Sequence, residues 1–298
     1  MKIHLIANPV SGGDARPRIA RAAAWLRGGG AQVEVRLTAR RGDAERFAAD
    51  ALGRCDRVVV AGGDGTLNEV ANALHGSALP LAFLPLGTVN VFALETGIPL
   101  DLEGACRLAL HGRARPISLG RIDERVFLLM ASAGWDAAAV ARLRPGLKRR
   151  CGRLAYLVSA VEALLAQPPA EVTITLADGR RRSGSGVVVS NARCYGGRYV
   201  ITPRASLGSA TLEVGLLRCR GRLALLGCAL RLGLRRPLAP AAIEYHRVSA
   251  VTISGGAVPV QVDGDPWGTL PVTVAALPQA LQVALPESFR EGDDDGTF

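Results

Sequence analysis

AGGDGTLNEVANAL, residues 61 to 74, is a glycine-rich turn running into an amphipathic segment. The residues before it, DRVVVA (56–61), form a short apolar run of the kind buried in a parallel sheet. Those after it place Leu67, Val70, Ala71 and Leu74 at i, i+3, i+4 and i+7, one face of a helix. The stretch is therefore a strand, a turn and a helix. Gly62, Gly63 and Gly65 suit a backbone that must approach a ligand closely, and Thr66-Leu67-Asn68-Glu69 has the spacing of a capping box. The amides of such a helix start point at an anion site. A plain βα turn would need no more than this, and Asp64 separates the two readings. A carboxylate beside phosphate oxygens is repulsive unless a hard cation lies nearby, and Mg²⁺ takes one or two carboxylates together with phosphate oxygens. Asp64 thus points to a Mg²⁺-nucleotide complex and phosphoryl transfer. A Rossmann fingerprint fits poorly because Asn68 stands where its third glycine belongs, and there is no Walker A loop.

Outward from this loop, the first ~120 residues alternate strands and helices, the pattern of a helix-covered parallel sheet. IHLIA (3–7), QVEVRLT (32–38), DRVVVA and PLAFLPLG (80–87) read as strands; ARPRIARAAAWLR (15–27), DAERFAADAL (43–52) and LEGACRLALHG (102–112) read as helices. From about Pro116 the texture becomes mainly β. ISLGRI turns into VFLLMA across Asp123-Glu124, and EVTITLA into GVVVSN across Asp178-Gly179. ATLEVGLL, VSAVTIS, PVQVD, LPVTVAA and LQVALP follow. Two domains are expected, an α/β unit over 1–120 completed by the tail 286–298, and a β unit over 121–285. Two arginine-flanked helical segments, 148–166 and 220–236, interrupt the β half, and each suits either a lipid interface or ordinary packing.

Composition narrows the partners. Lys+Arg 36 against Asp+Glu 26 gives +10, which admits nucleic acid, anionic lipid or phosphorylated small molecules. Aromatic residues at 4% argue against a base-stacking surface, and no nucleic-acid motif is present. The six cysteines form no CxxC pair or zinc spacing, so reduced thiols and a cytoplasmic location are expected. MKIHLIANP has no signal-peptide h-region, and LALLGCAL (223–230) is too short to span a bilayer.

NPVSGG (8–13), AGGDGTLNEV (61–70), PLGTVNVFA (85–93), SAGWDA (132–137), SNARCYGGRYVITPRA (190–205) and VDGDPWG (262–268) occur in that order along nearly the whole chain. As a set they resemble the diacylglycerol kinase catalytic-domain family, in its bacterial lipid kinase branch, which is also similar to sphingosine and ceramide kinases. The resemblance implies a three-layer α/β domain like those of phosphofructokinases and NAD kinases, then a β-sandwich. It implies ATP and Mg²⁺ as cofactors, a membrane lipid as substrate, peripheral attachment to the inner face of the membrane and, as in many members, a homodimer. Asn8, Ser11 and Gly12 would join Gly62, Gly63, Asp64, Gly65 and Thr66 around the nucleotide, with Gly87, Thr88 and Asn90 on a second loop. Asp263 matches the family's general base, and Asp136 and Asp265 would share the metal with Asp64.

The chain departs from that pattern in places. Gly13 stands where many relatives have a basic residue, leaving Arg16 or Arg18 to meet the phosphates, and Val91 replaces an aspartate. Ser209-Ala210 replaces the Asp-Gly of the family's structural Mg²⁺ site, and Asp265 is one methylene shorter than the usual glutamate. Two other functions remain open: a kinase of a soluble acceptor such as NAD, which shares GGDGT but not PLGTVN or VDGDPW, and a non-catalytic nucleotide- or lipid-binding regulator, against which Asp64 and Asp263 both speak.

Overall fold

The computed structural model describes residues 1–135, 137–138, 171–219 and 221–289. The chain divides into two compact units, one of Met1–Leu119, Leu207–Ser209 and Pro278–Phe298, the other of Gly120–Ser206 and Ala210–Leu277.

In the first unit, strands β1 (Lys2–Ala7), β2 (Gln32–Leu37), β3 (Arg57–Gly62) and β4 (Leu81–Pro85) lie in the order β2-β1-β3-β4, all parallel. Strands β3 and β4 are buried almost throughout because helices cover both faces, which is why they read as continuous apolar runs. Helices α1 (Arg16–Gly28) and α5 (Leu102–His111) pack on one face, with Ile19, Ala22, Leu26, Ala105 and Ala109 against Leu5, Val59, Ala82 and Leu84. Helices α2 (Asp43–Ala51) and α3 (Asp64–Leu74) pack together against β1 and β3. Leu67, Val70, Ala71 and Leu74 are all fully buried, as their spacing predicts. Helix α4 (Val91–Thr96) has no counterpart in the sequence expectations; it is six residues long, too short for its periodicity to show.

The second unit is a β-sandwich. Strands β5 (Ala114–Ile122) and β6 (Arg125–Phe127) form the expected hairpin, closed by Ile122 opposite Arg125. One sheet contains β7 (Met130–Gly134), β10 (Gly186–Ser190), β13 (Leu212–Leu217), β14 (Ile243–Val248), β16 (Pro259–Val262) and β17 (Asp265–Thr269), in the order β14-β13-β10-β7-β16-β17. The facing layer contains β8 (Val172–Leu176), β9 (Arg181–Gly184) and β15 (Ala250–Ser254), with β15 pairing the start of β18 (Val272–Ala284). Val187, Val189, Val214, Leu216 and Val260 interdigitate with Val172, Ile174, Val251, Ile253 and Val274 to make the core. A two-stranded ribbon, β11 (Cys194–Tyr195) with β12 (Tyr199–Val200), and helix α6 (Arg222–Gly233) complete the described elements.

Several sequence expectations need correction here. VFLLMA is two strands in different sheets, β6 and β7, separated by a bend at Leu128-Leu129. The Asp178-Gly179 turn leads to β9, the polar RRSG, and GVVVS belongs to the opposite sheet. LPVTVAA and LQVALP form one thirteen-residue strand, β18, whose end joins β4 in the first unit through Val283 and Leu81. Strand β14, IEYHRV, escaped notice because charged and ring side chains interrupt its alternation. The helix expected over 148–166 lies outside the described residues, as does Asp136.

Candidate functional site

In the first unit three loops converge at the carboxyl ends of β1, β3 and β4, the usual ligand edge of such a sheet. Asn8 follows β1: its Nδ2 donates to Thr66 Oγ1 at 3.3 Å, and its Oδ1 accepts the Val10 amide at 3.1 Å, which shapes the NPVSGG turn. Gly12 has φ +61°, and a Cβ there would meet the Leu86 carbonyl at 2.4 Å. Gly63 and Gly87 touch backbone to backbone: a Cβ on Gly87 would stand 2.7 Å from the Gly63 Cα and 2.6 Å from Asn90 Oδ1. The Gly62 carbonyl accepts the amides of Leu86 at 2.8 Å and Gly87 at 3.1 Å. Asn90, buried and at φ +54°, accepts the Gly87 amide and donates to the Gly87 carbonyl, both at 2.9 Å. Ser11 lies beside Gly63, whereas Gly65 and Thr88 are exposed at the rim.

Asp64 has a role that the sequence did not reveal. Its Oδ2 accepts the Val91 amide at 2.9 Å and its Oδ1 the Phe92 amide at 3.0 Å, the first two residues of α4. Its negative charge thus faces the positive end of a short helix and fastens the first loop to the second. Two amides thus meet part of the Asp64 charge within the chain. The capping box is also corrected. Helix α3 begins at Asp64, two residues before Thr66, with Gly63 as its N-cap. The Thr66 hydroxyl meets Asn8, and Glu69 Oε2 accepts the Ala44 amide of α2 at 3.2 Å. Of the two arginines considered for the phosphates, Arg18 is the one folded onto the loop, donating to the Ser11 carbonyl at 3.0 Å; Arg16 pairs with Asp14 and is exposed.

In the second unit, Asp263 and Gly264 form the expected two-residue turn between β16 and β17, with φ of +48° and +85° and Val262 opposite Asp265. The Asp263 carboxylate enters the bend between β6 and β7. Oδ2 accepts the Leu128 amide at 2.8 Å, and Oδ1 accepts those of Leu129 and Met130, each at 2.9 Å. Three amide donors fix the position of the carboxylate. The bend that divided VFLLMA is therefore what creates this seat. Asn191, fully buried, supports it by donating from Nδ2 to the Leu128 carbonyl at 2.9 Å, while its amide reaches the Leu129 carbonyl at 2.8 Å. Gln261 holds the turn from the other side, donating to Ser132 Oγ and accepting the Gly264 amide, both at 2.7 Å. Sequence patterning named neither Gln261 nor the three amides, because backbone donors carry no residue signature. Asn191 lay inside a quoted motif without a role.

Asp265 is exposed at the start of β17. Among the described residues, no three His, Cys, Asp or Glu side chains come together as a ready-made metal cage. Glu213 of β13 is buried and accepts the Arg204 amide at 2.7 Å, anchoring the TPRA turn. Burial pushes its carboxyl above the usual range, opposed by the Arg204 amide and guanidinium. No helix among the described residues is long and apolar enough to cross a membrane.

Comparison with known proteins bears on the family and the fold. The family model for the diacylglycerol kinase catalytic domain matches residues 2–122, and that for the YegS C-terminal NAD kinase beta sandwich-like domain matches 130–285. A Pseudomonas aeruginosa protein named "Probable lipid kinase YegS-like" is 33% identical over 293 residues, covering 96% of this chain and 94% of its own. The crystal structure of a diacylglycerol kinase from Bacillus anthracis superposes with a TM-score of 0.74 at 19% identity, covering 97% of this chain and 98% of that one. An NAD kinase from Archaeoglobus fulgidus in complex with ATP gives a TM-score of 0.54 at 14% identity over 96% and 94%. The two structures establish a shared fold, an α/β domain followed by a β-sandwich.

Proposed function

Because the chain belongs to the diacylglycerol kinase catalytic-domain family and is a kinase, we propose that it transfers the γ-phosphate of Mg²⁺-ATP to a hydroxyl of a membrane lipid of the diacylglycerol, ceramide or sphingoid-base class. The observation that supports this reading is the glycine cradle, in which Gly12 and Gly87 let three loops approach so closely that a Cβ on Gly12 would meet the Leu86 carbonyl and one on Gly87 the Gly63 Cα. The first amides of α3 and the guanidinium of Arg18 supply positive potential there, and Asn8, Ser11, Thr66, Thr88 and Asn90 line the edges. The donor set also suits Mg²⁺ that arrives with the nucleotide, since that ion keeps waters and phosphate oxygens and needs only one or two carboxylates. Asp64 is the candidate on the cradle's own loop, and the resemblance adds Asp136 and Asp265. When bound, Mg²⁺-ATP supplies the phosphoryl group and offsets its charge.

Asp263 is assigned the proton. A lipid hydroxyl is too weak an acid to ionise beforehand, and a carboxylate within reach accepts its proton as the bond to phosphorus forms. The three amides hold the Asp263 carboxylate in a fixed position at the tip of the turn. A loose phosphoryl-transfer transition state asks little of its base beyond position, which these bonds supply. The basic chain would work as a peripheral protein on the inner face of the membrane, where its substrate resides.

The test is phosphate transfer from γ-labelled ATP with Mg²⁺ into diacylglycerol, ceramide, sphingoid-base, phosphatidylglycerol and polyprenol micelles, with NAD as a soluble acceptor. Labelled lipid is expected. Label only in NAD, or none in any acceptor while ATP still binds, would overturn the lipid assignment.

A further inference from the structure

Helix α6, RLALLGCALRLG, is apolar on two opposite faces, yet only one of them is packed. Leu225 and Cys228 are buried, and Cys228 Sγ lies 2.8 Å from Cys219 Sγ in the segment after β13, so this face seats the helix on the sandwich. Burial pushes the Cys219 thiol up to about 12, which fits a structural contact rather than a reactive thiol. The other face carries Leu223, Leu226, Leu230 and Leu234, exposed by 86%, 45%, 63% and 60%. At 3.6 residues per turn these four fall in one stripe, opposite the buried pair. A single exposed leucine is ordinary, but four in register on a helix already apolar elsewhere form a surface that water leaves uncovered at a cost.

The charges around the stripe identify what would cover it. Arg222 and Arg231 lie roughly a quarter-turn to either side of the leucines, and Arg235 and Arg236 follow the helix end. Between Glu213 and Glu244 the sequence holds six arginines and neither Asp nor Glu. A second copy of this face would set arginine against arginine, and an acidic protein partner would satisfy the rims but not the depth of the leucines. An anionic bilayer satisfies both, with acyl chains for the stripe and phosphate groups for its edges.

We propose that α6 lies in the plane of an anionic membrane, inserting Leu223, Leu226, Leu230 and Leu234 between acyl chains while Arg222, Arg231, Arg235 and Arg236 engage headgroup phosphates. This rests on the lipid-kinase reading for its purpose but not for its physics. Buried area and charge together set the affinity: each inserted leucine contributes about tenfold, and each arginine at the surface about fivefold, the latter lost in high salt.

The experiment is co-flotation of the full chain with phosphatidylcholine vesicles, with and without phosphatidylglycerol. Binding is expected only when phosphatidylglycerol is present. Leu223→Ser/Leu230→Ser should weaken it by roughly a hundredfold, and Arg222→Gln/Arg231→Gln by roughly twentyfold at low salt. Leu226→Trp keeps the surface apolar and should blue-shift its fluorescence when phosphatidylglycerol vesicles are added, a readout independent of whether the serine variants fold. Equal binding by wild type and both double variants, or no blue shift, overturns the proposal. So does a lipid-free dimer that Leu223→Ser/Leu230→Ser dissociates, which would make the stripe a subunit contact. Leucine-dependent vesicle binding without phosphate transfer to any lipid would sink the kinase reading and leave the docking helix standing. Transfer that persists on vesicles in all variants would do the reverse.

Discussion

Asp64 and Asp263 are both carboxylates held by consecutive backbone amides, yet their surroundings differ. Asp64 accepts two amides at the start of α4 and ties together two loops of the same α/β unit. Asp263 accepts three amides from a break between strands of the sandwich, at the tip of a two-residue turn. The first carboxylate fastens one loop to another at the carboxyl edge of the sheet; the second is held at the end of a hairpin. The difference suggests that one aspartate acts mainly through binding and the other through chemistry, and each part of that division can be broken separately.

The largest effect is expected for Asp263→Asn. The amide removes the proton acceptor, and turnover should fall about a thousandfold in a steady-state transfer assay, within the range for losing a general base. ATP affinity should stay near wild type. One of the three amides would then face an NH₂ group, so a loss of about 1–3 kcal/mol in thermal unfolding should accompany it. A stability loss without a fall in turnover would reduce Asp263 to a structural residue.

Gly87→Ala comes next. Its Cβ would collide with the Gly63 Cα and with Asn90, and overpacking of this kind costs about 1–3 kcal/mol. ATP affinity, followed by calorimetric titration, should drop roughly tenfold or more, with little change in vesicle binding.

For Asp64→Asn the cap on α4 is weakened, and unfolding free energy should fall by about 1–2 kcal/mol. KM for ATP should rise more than kcat falls if Asp64 is mainly a fastener. A collapse of kcat that excess Mg²⁺ rescues would instead place the ion on Asp64 directly. Arg18→Gln is a milder version of the same test, expected to raise KM for ATP about fivefold, while Arg16→Gln, paired with Asp14 at the surface, should change it less than twofold.

The smallest effect concerns Glu213. Its carboxyl titrates above 4.5 in the folded protein, so the native state binds more protons than the unfolded chain just above that value. Its contribution to stability is therefore greatest below pH 4.5 and declines as pH climbs through the raised native value. Glu213→Gln should flatten that decline in pH-dependent denaturant melts; an unchanged slope would show that Glu213 is not its source.

Much of this architecture was legible in the sequence, because a parallel sheet buried on both faces writes itself as apolar runs such as VVVA and LAFLP, and a two-residue turn as Asp-Gly. What escaped was set by contacts between distant segments. The division of VFLLMA depends on Asp263, more than a hundred residues away, whose carboxylate takes the amides at the bend. Strand β14 is held by β13, not by its own alternation. The capping box failed because Thr66 and Glu69 found partners in other elements, Asn8 and Ala44. At the site, the glycines and aspartates were visible as residue types, but Asp64's partners were backbone amides of Val91 and Phe92, positions whose side chains give no hint of the role.

The most direct test of the division between the two aspartates is single-turnover phosphate transfer from saturating γ-labelled ATP to a lipid acceptor in mixed micelles, comparing wild type with Asp263→Asn. The account predicts an ATP dissociation constant unchanged within about twofold and a transfer rate lower by about a thousandfold. A wild-type transfer rate in a folded Asp263→Asn protein would contradict it.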